Sequence, residues 1–341
     1  MSSSIFSLKI AIVGAGAIGI TLAARLVGAG YQVGVVARGK TRSAIQRCGA
    51  QLLDQQGHHV ARVTVSDSCA ELGEQDIVLL CTKSQAVPAL LPSLMPLFNA
   101  HTCLVPMVNG TPWWLFMGLS DNQNVPQHIE AVDPGGRLVN CLPADAIIGC
   151  VVYISAQVTS PGQAQSTTPH RLVLGEITPL SIERERRFTA LIDALESAGI
   201  KTLHTPNIRD AVWSKIVANL TSNPLSVITG TTLEALYGDP WLRNVVEPLF
   251  EEARLTASAY GSQLEMSLPE LLEVGAQMEG VKTSMLQDYQ QERGLELGAI
   301  VEGVIELATR KHIAIPTIKT IFSLAHYLEH AGDHESCKET L

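Results

Sequence analysis

Charged side chains are scarce in this chain: Asp, Glu, Lys and Arg make up 17% of its 341 residues, and aromatics only 5%. Chains that stay unfolded show the reverse balance, so 46% hydrophobic residues and a mean hydropathy of +0.19 describe a well-packed globular protein. Positive charge is in the minority, with 24 Lys and Arg against 33 Asp and Glu and a net charge of −9. No global basic field exists to attract nucleic acid, and any phosphate site has to be built locally. Long apolar runs are missing too. The best candidate, residues 10–24, stops at Arg25, short of the roughly 18 residues a membrane span needs. Its leader holds one side-chain positive charge, Lys9, so neither a targeting segment nor a membrane partner is expected.

Metal-type clustering is also absent. The cysteines (Cys48, Cys69, Cys81, Cys103, Cys141, Cys150 and Cys337) include no C-x-x-C pair, and the ten histidines show no metal spacing. No metal is expected. Thiols buried in apolar runs such as DIVLLC and AIIGCVVY suit a reducing compartment, hence the cytoplasm.

What is present is an alternation of apolar strands and helices. LKIAIV (8–13) reads as a buried strand, AIGITLAARLVGAG as a helix closed by Gly28 and Gly30, and QVGVVAR (32–38) as the next strand. DIVLLC and TCLVPM are further strands around an expected helix, QAVPALLPSLMPLF. IIGCVVYISAQV, RLVLGEI and IKTLH continue the strands, and ERERRFTALIDALESAGI is an amphipathic helix. From Pro206 onward strand patterns give way to helical ones, which sets expected domains of 1–205 and 206–341, with a polar tail after His330 expected to fray. Residues 111–145, with Trp113 and Trp114, form a long segment that reads either as a lid or binding loop, or as a cap on the core.

Gly14, Ala15, Gly16, Ala17, Ile18 and Gly19 spell G-x-G-x-x-G between a strand and a helix, the context a dinucleotide fingerprint requires. Gly14 permits the tight turn, Gly16 lets backbone approach a pyrophosphate, and Gly19 lets the helix pack on the strand. The helix start then offers N–H groups to phosphate. After the second strand no acid is available for a ribose 2′-hydroxyl. Arg38 stands there instead, with Lys40 and Arg42 nearby, which favours the 2′-phosphate of NADP(H). Lys83 and Asn109 follow later strands, where ligands of such sheets sit, although Asn109-Gly110 is equally a turn dipeptide.

Lys215, Asn219 and Asn223 recur at four-residue steps and share a helix face. Such a face serves either solvent or a carbonyl substrate. Pro224 predicts a kink or an end at this point.

These pieces together resemble the ketopantoate reductase (2-dehydropantoate 2-reductase) family from end to end. The resemblance rests on GAGAIG, Arg38, Lys83 in CTKSQ, Asn109 in VNG, W-S-K-I-V-A-N-L-T-S-N-P-L, T-S-M-L-Q-D and Glu296 in RGLELGAIVEG. It implies an α/β Rossmann-type N-terminal domain and an all-α C-terminal domain of the 6-phosphogluconate dehydrogenase C-terminal type, with the active site in the cleft between them. It implies NADPH-dependent reduction of a 2-keto acid, 2-dehydropantoate to pantoate, in pantothenate biosynthesis. Lys215 would then be the general acid. Asn219, Asn223 and Ser284 would hold the substrate's carboxylate and hydroxyl groups, and Asn109 would orient substrate and nicotinamide. Lys83 would contact the cofactor, and Glu296 would lie near Lys215, substrate and cofactor. The 111–145 segment departs from the compact form of the family and leaves the choice of keto acid open. The rival readings are another NADP-dependent two-domain hydroxy acid dehydrogenase and a non-catalytic NADP(H) sensor. The oligomeric state also stays open, a homodimer included.

Overall fold

In the computed structural model, residues 8–119 and 125–336 are described; the leader before Leu8, residues 120–124 and the tail end with Cys337 lie outside them. The chain divides into two units. Unit 1 comprises residues 1–108, 116–124 and 137–208; unit 2 comprises 109–115, 125–136 and 209–341.

Unit 1 opens with β1 (Ile10–Val13), α1 (Ala17–Gly28), β2 (Val33–Val36) and α2 (Gly39–Cys48). There follow β3 (Ala50–Asp54), β4 (Gly57–Ala61), β5 (Thr64–Ser66), β6 (Ile77–Leu80), α3 (Val87–Leu90) and β7 (Cys103–Pro106). Five of these strands form a parallel sheet in the order β5-β2-β1-β6-β7. The order reverses at β1, as in a dinucleotide-binding sheet. Every residue of β1, β6 and β7 is buried, because both faces of a parallel sheet are covered, and none of the three runs holds a polar or charged side chain on either face.

The second half of the unit adds β8 (Ile148–Tyr153), β9 (Ala156–Ser160), β10 (Gln163–Ser166), β11 (Arg171–Glu176), α4 (Ile182–Ser197) and β12 (Lys201–His204). These make a sheet β12-β11-β8 and, with the earlier hairpin, a sheet β4-β3-β10-β9. The apolar run IIGCVVYISAQV therefore serves two sheets, as β8 in one and β9 in the other.

One expected helix is broken. QAVPALLPSLMPLF resolves into a 3₁₀ turn at Ser84–Ala86, the single α-turn α3, and a 3₁₀ run at Leu91–Leu97. Pro88, Pro92 and Pro96 recur every four residues, and each removes the donor for the i−4 bond of an α-helix.

Unit 2 is helical: α5 (Ile208–Thr229), α6 (Leu233–Gly238), α7 (Pro240–Ala259), α8 (Leu268–Ala276), α9 (Ser284–Gln290), α10 (Gly303–Arg310) and α11 (Pro316–Ser336). Within α5, Ala211, Trp213, Ile216, Val217 and Leu220 are buried together with Asn219, Thr221, Ser222, Asn223 and Ser226. A helix covered on all sides is a core helix, and this one runs on through Pro224 to Thr229. The surrounding unit outweighs the one lost backbone donor, and the hydroxyls of Ser222 and Ser226 bond the carbonyls of Ala218 and Asn223. Helix α11 likewise continues to Ser336, past the point where fraying is expected; extending an existing helix costs little per residue.

Candidate functional site

The glycine turn in unit 1 is built as tightly as its motif demands. Gly14 has φ +101°, and a Cβ there would sit 2.8 Å from Thr82 Cγ2 and 2.9 Å from Cys81 O. A Cβ at Gly19 would lie 2.0 Å from Gly14 O, so helix and strand meet at a distance only glycine allows. Gly16 differs from both. It is exposed, and no other residue lies within 4 Å of the place its Cβ would take. It caps α1 with no side-chain hydrogen bond. Ala15 and Ile18 pack on the core, and Ala17 begins the helix.

Thr82, which sequence reasoning passed over, lies two residues beyond β6 beside this turn, and its Oγ1 is buried without a hydrogen-bond partner. Open backbone at Gly16, an uncapped helix start and an orphaned hydroxyl fit the phosphates of a dinucleotide. Arg38 is exposed at the start of α2, next to exposed Lys40. Arg42, by contrast, is engaged with Asp67 at 2.7 Å, so Arg38 and Lys40 are the cations left at this strand end. Lys83 precedes the 3₁₀ turn at Ser84–Ala86. Cys81 lies between these groups but is no nucleophile, since burial pushes its thiol up to about 12.

The remaining candidates, Asn109, Lys215, Asn219, Asn223, Ser284 and Glu296, all belong to unit 2. Asn109 follows β7 in the chain yet packs with the helices. The backbone N–H of Thr111 donates to Ala299 O at 2.7 Å, and a Cβ on Gly110 would lie 2.6 Å from the Ala299 carbonyl. Ala299 sits in a π-helical turn, Gly298–Glu302, that begins two residues after Glu296. Single π turns inside helices often mark functional sites, and this one fastens the Asn109 turn to the segment that carries Glu296.

Lys215 is half-buried on α5, while Asn219 and Asn223 are 9% and 4% exposed. That exposure rules out a solvated face for the two amides. Ser222 Oγ lies 3.3 Å from the Asn223 amide, while its one proton goes to Ala218 O at 2.7 Å. Ser284 is exposed as the first residue of α9, directly after the buried cap Thr283. Trp113 and Trp114 are 4% and 1% exposed, so the tryptophan pair belongs to the core of unit 2. Beside it Arg209 donates to Leu115 O at 2.7 Å, and burial lowers the pKa of that guanidinium. Among the described residues no group of three or more His, Cys, Asp or Glu could hold a metal, and no helix is long and apolar enough to cross a membrane.

Two family models cover most of the chain: ketopantoate reductase PanE/ApbA over residues 10–179, and its C-terminal domain over residues 207–329. A 2-dehydropantoate 2-reductase of Mesorhizobium japonicum is 35% identical over 322 residues, 94% of this chain and 98% of that protein. One from Nostoc is 24% identical, covering 94% and 95%. A crystal structure assigned as a ketopantoate reductase, from Ralstonia solanacearum MolK2, superposes with a TM-score of 0.86 at 32% identity, covering 95% of this chain and 98% of that one. The 2-dehydropantoate 2-reductase of Geobacter metallireducens gives 0.80 at 25% identity, covering 94% and 99%.

Proposed function

This chain belongs to the ketopantoate reductase family, and we propose that it reduces a 2-keto acid, 2-dehydropantoate first among candidates, to the 2-hydroxy acid with NADPH. It is an oxidoreductase acting on a CH–OH group. The observation that carries the substrate reading is the buried placement of Asn219 and Asn223 on the helix face of Lys215. Amides are buried at a cost unless something accepts their hydrogen bonds, and a bound carboxylate or hydroxyl does so.

In this reading the Gly14–Gly19 turn and the start of α1 hold the pyrophosphate, Thr82 reaches the phosphates, and Arg38 with Lys40 pairs the 2′-phosphate. Lys83 contacts the cofactor. When bound, NADPH supplies the hydride. The chain's own residues handle the rest. As negative charge grows on the keto oxygen, the Lys215 ammonium stabilises it more than it stabilises the neutral ketone, and then gives it a proton. A positioned ammonium of this kind contributes ~10²–10⁴-fold. The Asn223 amide donates to the substrate's carboxylate. Asn219 and Ser284 bind the remaining oxygens. Asn109 and Glu296, coupled through the Ala299 turn, orient substrate and nicotinamide together.

The test is NADPH oxidation followed spectrophotometrically, with 2-dehydropantoate at the head of a panel of linear and bulkier 2-keto acids. Turnover of 2-dehydropantoate with the highest kcat/KM supports the reading in full. Preference for a bulkier acid keeps the chemistry and changes the substrate. Tight NADPH binding without oxidation by any keto acid leaves a sensor instead of an enzyme.

A further inference from the structure

Ser226 of α5 and Thr283, the cap of α9, meet inside unit 2 with Oγ and Oγ1 2.6 Å apart, and they are 0% and 5% exposed. Ser226 Oγ also lies 2.7 Å from Asn223 O, and Thr283 Oγ1 receives the backbone N–H of Leu286 at 3.1 Å. A hydroxyl has one proton to give, and a carbonyl can only accept. Ser226 therefore donates to Asn223 O, Thr283 donates to Ser226, and Leu286 donates to Thr283. Every proton in the chain is assigned, and the chain has a single direction.

The two ends of this relay fall on the two elements that carry the proposed substrate contacts. Asn223 is the residue whose carbonyl accepts at one end. Ser284 is the next residue after Thr283 at the other. Simple cohesion of two helices would be served by apolar contact, as it is elsewhere along α5 by Trp213, Val217 and Leu220. A hydrogen-bonded pair is directional as well, and buried polar groups joined in this way hold one arrangement because any other leaves them unsatisfied.

We propose that Ser226 and Thr283 are a positioning pair that sets the Ser284 hydroxyl against the Asn223 amide, and so fixes how tightly the keto acid's carboxylate and hydroxyl are held. The inference rests on the keto-acid reading of those two side chains. Neither member of the pair touches the reacting atoms. The signature is therefore a change in substrate affinity with little change in the proton-transfer step, since misplacement of a binding group by about 1 Å is enough to lower efficiency up to ~10²-fold.

The experiment uses the full chain and the best keto acid from the panel. In Ser226→Ala the KM for the keto acid rises roughly tenfold or more, while kcat stays within about threefold and NADPH Kd is unchanged. Thr283→Val gives the same split. The double variant is no worse than either single one, because each alone already breaks the relay. Thr283→Ser, which keeps the oxygen, restores a near wild-type KM. Amide exchange at Leu286, read without substrate, quickens in Ser226→Ala. An unchanged KM in folded Ser226→Ala, or costs that add in the double variant, overturns the positioning role alone. If Ser226→Ala does not fold, Thr283→Val against Thr283→Ser decides the question by the same split. A wild type inert with every keto acid overturns the proposed function, and this role with it.

Discussion

Thr111 and Ala299 are joined backbone to backbone, N–H to carbonyl at 2.7 Å, so the Asn109 turn is fixed to the π turn beside Glu296. The intervening Gly110 adopts φ +80°, and a Cβ there would lie 2.6 Å from the Ala299 carbonyl. A side chain there meets both a steric wall and an unfavourable backbone region, the latter alone costing about 1–3 kcal/mol. Gly110→Ala is expected to lower the Tm of the protein and to reduce kcat/KM by more than the loss of folded protein explains. An unchanged Tm would mean that the turn relaxes away from Ala299 without harm.

Lys215→Ala is expected to lower kcat by ~10²–10⁴-fold, the usual contribution of a positioned proton donor. NADPH affinity, measured by fluorescence titration, should change by no more than about threefold, since the proposed phosphate contacts (the Gly14–Gly19 turn, Thr82 and Arg38) lie in unit 1. Near-normal turnover would remove the lysine from the acid role.

Much of the proposed cofactor end is legible in the sequence, because its requirements are local. Gly14 and Gly19 are needed by the backbone itself, which leaves no room for a Cβ at either, and their spacing announces it. The proposed substrate end is only half legible. Steps of four residues put Lys215, Asn219 and Asn223 on one face, but whether that face meets solvent depends on what packs around α5, which no local pattern encodes. The same holds for Pro224, where the helix continues because the rest of the unit holds it. The β3–β4 hairpin escapes notice because strand GHHVA alternates exposure with little apolar content, and β10 pairs with β3 across more than a hundred residues. Asn109 is the clearest case. Its place after a strand suggests a cofactor-side residue, whereas Gly110 and Thr111 attach its turn to the helices through a contact nearly two hundred residues away in sequence.

Arg38→Ala is expected to raise the KM for NADPH by about 10–100-fold, the size of a lost charge-assisted hydrogen bond or two. The KM for NADH should shift by about twofold at most, because NADH carries no 2′-phosphate. Parallel titrations with the two cofactors give the ratio directly. Equal losses for both would mean that Arg38 supports the adenosine end by packing, with no charge recognition.

Acid should loosen unit 1 in two stages, set by two buried groups next to α1 and the β3–β4 hairpin. Burial lowers the pKa of His170, whose Nε2 lies 2.9 Å from Ser166 Oγ. The unfolded chain takes up that proton near pH 6.5 while the folded one resists it, so stability falls as pH drops below about 6.5 towards the lowered folded value. Asp54 behaves differently. Burial raises its pKa, but the Gln56 N–H, the His59 ring at 2.9 Å and the Arg25 guanidinium outweigh that effect, and the net shift is downward. Its contribution is complete above about pH 4 and is lost as pH falls through the depressed folded value. Urea unfolding from pH 7 to pH 3 should therefore show a first decline that Ser166→Ala leaves in place and His170→Gln removes. A second decline below about pH 4 should be missing in Asp54→Asn, which starts less stable at neutral pH and converges on the wild type in acid. Parallel curves for Asp54→Asn and wild type across the whole range would show that the Arg25–Asp54–His59 contacts carry no net charge-dependent stability.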